Sequence, residues 1–323
     1  MRQIYGAQAM WEAISEEMAR DDNVIVIGED VGLSGGVAGQ TAGMLAQYGA
    51  DRVIDAPIAE AEQVSFAVGA ALMGQHVLVD IMIGNSIAYS YDSVVHQAAM
   101  RRYMSGGQWE MPLVIKLPVG TANMVGAHHS STIEGWFQNC PGIKIYAPTF
   151  PEDMKGLLKY AIREKDPVIY MHHSKCYAIV GDVPDGECCI EPGKAKIVKE
   201  GTDITIVAYQ DSLLASIEAA GKLAEENINV EIIDPRTLIP FDKEAVLTSV
   251  RKTGRLLVVT EAPKRGGFGN NIVTLVAENA SDALKAPICY LGGKNYPIPG
   301  GPTEKIMVPR AEDIIEAVHK VIG

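Results

Sequence analysis

Five short, β-branched, almost wholly apolar runs recur along the first half of this chain: VIVIG (24–28), VLVDIMI (77–83), PLVIKL (112–117), IKIYAP (143–148) and PVIYM (167–171). Strands that carry no polar face must be covered on both sides, as happens in a parallel sheet flanked by helices. The segments near 7–20, 60–74, 87–104 and 151–164 have helical periodicity, and the last opens on Pro151-Glu152-Asp153, a favourable first turn. The first half therefore reads as α/β with a mostly parallel sheet.

From Gly181 to Gly193 the sequence GDVPDGECCIEPG loses periodicity and gathers Gly, Pro and acids, as a linker does. Alternation restarts with DITIVAY (203–209), VEIID (230–234), RLLVVT (255–260) and APICYL (286–291), with helical segments near 211–226, 242–252, 269–279 and 311–321. Two α/β domains are expected, spanning 1–180 and 199–323, joined by a linker over 181–198.

The formal net charge of −12 offers no electrostatic footprint for a phosphate backbone, so nucleic acid is not an expected partner. Five cysteines, at 140, 176, 188, 189 and 289, form no CxxC pair, which fits reduced thiols and a cytoplasmic location. The opening MRQIYGAQAMWEAISEEMARDD carries acids through its apolar positions and suits an amphipathic helix, not a secretory leader. No apolar run reaches the ~20 residues that span a bilayer, so no membrane association is expected.

Several motifs admit two readings. GGFGNN (266–271) follows a strand and opens a helix but lacks the third glycine of a dinucleotide fingerprint, and a tight strand-to-helix turn accounts for it better. His128-His129-Ser130-Ser131 lies in a polar loop after strand 112–117, where open α/β sheets place ligand sites. Taken alone, surface histidines bonded to backbone are the better account, and His172-His173 at a strand end carries the same ambiguity. Glu60 and Glu62 stand at the start of a helix whose continuation is apolar and small. Glu62 reads as a dipole partner. Glu60, between a strand end and a buried helix, reads as a carboxylate facing a cleft.

Taken together, VIGEDVG (26–32), RVIDAPIAEA (52–61), RRYMSGGQ (101–108), HHSSTIEGWFQNCPGIKI (128–145), MKGLLKYAIREKDPVIY (154–170), DPRTLIPFD (234–242) and TEAPKRGGFG (260–269) resemble a known family. It is the beta subunit of the thiamine-diphosphate-dependent decarboxylating component of 2-oxo acid dehydrogenase complexes, with acetoin dehydrogenases as close relatives. The resemblance covers essentially the whole chain. It implies a pyrimidine-binding thiamine domain followed by a transketolase C-terminal-type domain. It also implies an alpha subunit that holds the diphosphate and its Mg2+ through a GDG motif absent here, a two-alpha, two-beta assembly, and a lipoyl acyltransferase core as acceptor.

By the family pattern D-T-P-[IL]-x-E, Asp55-Ala56-Pro57-Ile58-Ala59-Glu60 carries the catalytic glutamate at Glu60, bonded to the aminopyrimidine ring nitrogen, and Ile58 lines the pocket for that ring. A carboxylate there favours the imino tautomer, which removes the thiazolium proton. By the pattern H-S-x-S-x-E, His129 is the active-site histidine and His128 its neighbour in substrate contact or proton relay. An imidazole suits proton movement during acyl transfer because it titrates near neutrality.

The strand usually written E-[IF]-x-F-x-D-[YF] is Asp80-Ile81-Met82-Ile83-Gly84-Asn85-Ser86 here, so Met82 and Ser86 stand at cofactor-facing positions without the aromatic stacking of relatives. Glu29 of GEDVG is a further cofactor-side candidate, with fold support as the competing reading. In several relatives the segment around Cys140-Pro141-Gly142 helps bind a structural monovalent cation. Potassium is carried over on that basis without ligand residues, and no metal-ligating side chain is assigned. The expected substrate is a short 2-oxo acid or acetoin, Met104 being closer to the acetoin enzymes. The rival readings are the C-terminal half of a split transketolase, another thiamine carboligase, and a non-catalytic scaffold subunit.

Overall fold

The computed structural model describes residues 1–121 and 123–323. Residues 1–119 with 136–192 form one compact unit, and residues 120–135 with 193–323 form another.

In the first unit the sheet runs Lys144–Tyr146, Val168–His173, Leu113–Val119, His76–Asp80, Val24–Gly28, Val53–Asp55, with every adjacent pair parallel. The apolar runs are its strands, and Val24–Gly28 is buried along its whole length, as strands covered on both faces must be. Helices Gly6–Arg20, Glu60–Leu72 and Pro151–Arg163 occupy the expected positions. VLVDIMI ends as a strand at Asp80, and its last residues turn away from the sheet. A short antiparallel pair, Arg2–Tyr5 with Val180–Val183, lies outside the main sheet.

The expected helix over 87–104 is corrected by the structure. A 3-10 turn (Gly84–Ser90), a π-helical stretch (Ser93–Ala99) and one α turn (Arg101–Met104) replace it. The run GNSIAYSYDS is rich in side chains that compete for backbone hydrogen bonds. Ser90 donates its hydroxyl to the carbonyl of Glu60 at 2.8 Å, and the hydroxyls of Ser65 and Ser93 meet at 2.8 Å.

Gly6–Arg20 and Pro151–Arg163 pack against each other through charge as well as apolar contact. Lys155 and Lys159 are buried, with Lys155 Nζ at 2.9 Å from Glu12 Oε2 and 2.6 Å from Glu16 Oε1, and Lys159 Nζ at 2.7 Å from Glu16 Oε2. Arg163 reaches Glu17 at 2.6 Å. The i,i+4 spacing of both partners sets two cations opposite two turns of acids.

The second unit holds a five-stranded sheet, Cys289–Gly293, Leu256–Pro263, Ile204–Ala208, Val230–Asp234, Lys196–Lys199, parallel except for its last edge strand. Helices Gln210–Glu225, Lys243–Thr253, Gly269–Asn279 and Ala311–Ile322 complete it. The GGFGNN turn is a packing device: a Cβ on Gly269 would lie 2.4 Å from the Tyr290 ring. Among the described residues no helix is long and apolar enough to cross a membrane.

Candidate active site

Gly28 is in register with Asp55 on one side and Asp80 on the other, so three neighbouring parallel strands end at one level. The residues that follow them, Glu29, the stretch 56–60 and the stretch 81–86, therefore emerge side by side at the carboxyl edge of the sheet, where α/β folds bind ligands. The Ala56 N–H donates to the Gly28 carbonyl at 2.9 Å and carries the strand pairing one residue further. Asp55 fixes the opposing loop by accepting the N–H groups of Gly32 at 2.6 Å and Leu33 at 3.1 Å.

Glu60 begins the helix Glu60–Leu72 and is half-buried. Among the described residues no donor lies within hydrogen-bonding distance of its carboxylate. Ile58, two residues before it, is 82% exposed, and the helix that follows is not the buried one expected, since it leaves Ser65, Phe66 and Gly69 in solvent. Glu29 is 8% exposed, and Gln63 donates to it at 3.3 Å and to the Pro57 carbonyl at 2.8 Å. Burial, and then the charge of Glu60, push the Glu29 carboxyl above its usual range. Met82 and Ser86 are both half-buried in the turn after Asp80.

Beneath these residues lies a polar layer. Asp80 Oδ1 and Lys116 Nζ meet at 2.8 Å with both side chains fully enclosed. Burial lowers the Lys116 ammonium against the raising effect of Asp80. His172 is buried, its Nδ1 is 2.7 Å from the Tyr177 hydroxyl, and its Nε2 has no partner among the described residues. Burial, then Lys116, hold His172 well below the usual imidazole range. His173 is also buried and accepts the Lys175 N–H at 3.2 Å as a helix cap. Both histidines end the strand Val168–His173 and are buried.

The second unit carries His128 and His129, exposed on a turn closed by the His129 N–H to the Gly126 carbonyl at 3.1 Å. Their segment is held by buried acids. Glu134 accepts the Tyr209 hydroxyl at 2.7 Å, Glu261 accepts the Thr121 N–H at 2.5 Å, and Glu304 accepts the Met124 N–H at 3.1 Å. Burial pushes the Glu134 carboxyl up, and the nearby charge of Glu261 adds to this.

Sequence reading missed Asp55, Gln63 and the Asp80–Lys116 pair as supports of this region. Lys116 had a readable signal, a lone cation inside the apolar strand PLVIKL, because a buried ammonium requires a partner.

The model for "Transketolase, pyrimidine binding domain" matches residues 2–178, and that for "Transketolase, C-terminal domain" matches residues 193–314. The chain is 41% identical over 323 residues to the pyruvate dehydrogenase E1 component subunit beta of Rickettsia felis, covering 99% of this chain and 98% of that one. This chain belongs to the family of dehydrogenase beta subunits built from these two transketolase-type domains. Another member of the beta-subunit family, the acetoin:2,6-dichlorophenolindophenol oxidoreductase subunit beta of Cupriavidus necator, is 41% identical over 325 residues, covering 97% of this chain and 96% of its own. A solved split-gene transketolase, described as an inactive beta4 tetramer, shares the fold with a TM-score of 0.80 at 21% identity, covering 99% of this chain and 98% of that one.

Proposed function

We propose that this beta subunit supplies the pyrimidine half of a thiamine-diphosphate site and, paired with an alpha subunit that holds the diphosphate and Mg2+, oxidatively processes a short 2-oxo acid or acetoin. The observation that supports this reading most directly is the unpaired Glu60 carboxylate at the level strand edge, beside exposed Ile58 and buried Glu29. An aminopyrimidine ring fits that set: Glu60 would meet a ring nitrogen, and Ile58, Met82 and Ser86 would line its pocket. When bound, the cofactor would supply a nucleophilic carbon for the substrate carbonyl.

The chain's own contribution is proton management and placement. Glu60 bonds the ring nitrogen and shifts the ring's proton balance toward the basic tautomer. Glu29 stands enclosed beside it, its carboxyl raised by burial and then by the charge of Glu60. The helix N-terminus stabilises the Glu60 carboxylate. His129, with His128 adjacent, moves a proton as the acyl fragment passes to a lipoyl dithiolane of the acyltransferase core. Five unbridged cysteines fit a reducing, cytoplasmic setting. Potassium remains a candidate for a backbone site near Cys140-Pro141-Gly142.

The test is turnover of pyruvate and acetoin with a dye acceptor, thiamine diphosphate and Mg2+, by this chain alone and assembled with its alpha partner. Activity in the pair that disappears in Glu60→Gln supports the proposal and names the substrate. A correctly assembled pair that turns over neither compound overturns it.

A further inference from the structure

The segment 120–135 leaves strand Leu113–Val119 and belongs to the second unit. Its grip there is concentrated around Met124. Glu304 lies on the 3-10 turn Gly301–Ile306, is buried, and offers a single oxygen, Oε2, to two donors: the Met124 N–H at 3.1 Å and the Ser130 hydroxyl at 3.4 Å. Gly301 donates its N–H to the Met124 carbonyl at 3.0 Å, and Val125 bridges Gly300 in antiparallel fashion. Met124 itself is left-handed, with φ 58°, a conformation a methionine adopts only where surrounding bonds enforce it. The two Glu304 contacts fall on either side of His128-His129, one before the turn and one directly after it. Glu134 and Glu261 hold the outer parts of the same segment through Tyr209 and the Thr121 N–H.

We propose that Glu304 is a positioning residue: its Oε2 closes a bracket from Met124 to Ser130 and thereby fixes where His129 is presented. The proposal rests on His129 being the proton-moving residue for its catalytic consequence, though the bracket itself does not. Its requirement is an acceptor at the right reach, since both contacts use the same oxygen, and the negative charge is secondary. That separates two conservative variants. Glu304→Gln keeps an oxygen at full reach and loses the charge. Glu304→Asp keeps the charge and withdraws it by one methylene.

The experiment uses the assembled alpha–beta enzyme with thiamine diphosphate and Mg2+. Hydrogen exchange is read on peptides covering 120–135, and kcat and KM are read separately in the wild type, Glu304→Ala, Glu304→Asp, Glu304→Gln, His129→Ala and the double variant Glu304→Ala/His129→Ala. The expected result is exchange faster by about 10-fold over the segment in the Ala and Asp variants, with Gln close to wild type. A parallel fall in kcat at unchanged KM is expected, with no further loss when Glu304→Ala is added to His129→Ala. Unchanged exchange in both Ala and Asp, or Asp behaving as wild type while Gln fails, overturns the bracket. Full turnover in His129→Ala overturns the catalytic reading of that histidine instead, leaving the exchange comparison to decide the role of Glu304.

Discussion

Lys116 and Asp80 face each other at 2.8 Å from adjacent, in-register positions of neighbouring parallel strands, and neither side chain reaches solvent. Breaking one half of such a pair strands the other charge in a region without water. Lys116→Met and Asp80→Leu are each expected to destabilise the first unit by ~3–5 kcal/mol. The double replacement Lys116→Met/Asp80→Leu should be milder than the sum of its single changes. Urea unfolding of the four proteins checks this, and additive losses would show that the pair does not act as one.

Glu60→Gln should lower turnover of the assembled enzyme by roughly 10²-fold or more, because an amide cannot exchange the proton that a carboxyl does. The same change removes the like charge that helps to raise Glu29. The Glu29 carboxyl is therefore expected to titrate at lower pH in Glu60→Gln, as read by the infrared carboxyl band against a Glu29→Gln reference. A Glu29 band that does not move would remove the electrostatic link between the two acids.

Gly84 stands between Met82 and Ser86 and opens the turn Gly84–Ser90, and a Cβ there would stand 2.0 Å from the Pro118 carbonyl oxygen. Backbone must move to admit it. Gly84→Ala should displace the turn, raising the cofactor concentration needed for half-maximal activity several-fold more than it alters thermal stability. The substitution Gly69→Ala, at a helical site where among the described residues no atom beyond the adjoining helix backbone lies within 4 Å of the added carbon, provides the comparison and should leave that concentration unchanged.

Acid should loosen the contact between the helices Gly6–Arg20 and Pro151–Arg163. Burial pushes Glu12 up, yet hydrogen bonds from Arg2 and Lys155 outweigh it and hold the carboxyl below its usual value. Glu187 is lowered first by its bond from Lys159. Carboxyls depressed in the folded state contribute stability above their unfolded pKa of about 4.3 and lose it as pH falls through the folded value. The melting temperature should thus be level above about pH 5 and fall below pH 4. In Glu12→Gln the starting stability should be lower and that fall shallower. Equal slopes in calorimetry would discount Glu12.

Much of this architecture is legible in the amino-acid order. VIVIG and VEIID become strands over their full lengths because an unbroken apolar run has no polar face to leave in water. The setting of Glu60, a carboxyl between a strand and a helix, was readable from local context. Lys155 and Lys159 were not legible as buried residues, since their partners Glu12 and Glu16 stand far away in sequence and nothing local distinguishes them from a solvated helix face. The break-up of 87–104 was hidden for a related reason. Its apolar spacing suits a helix, while the competing hydroxyl bonds of Ser65, Ser90 and Ser93 depend on contacts with another segment. The grip of Glu304 on Met124 spans the chain in the same way.

The assignment of 120–135 to the second unit means that the polypeptide passes from one unit to the other at three places, after 119, after 135 and after 192. A single cut at 192 would therefore not liberate a self-sufficient fragment. The released piece would lack the segment whose N–H and hydroxyl groups satisfy Glu261 and Glu304, and Tyr209 would lose its acceptor. The divisible part for recombination or split-protein design is thus a discontinuous one, and a transplanted C-terminal half would need the sixteen-residue excursion grafted with it.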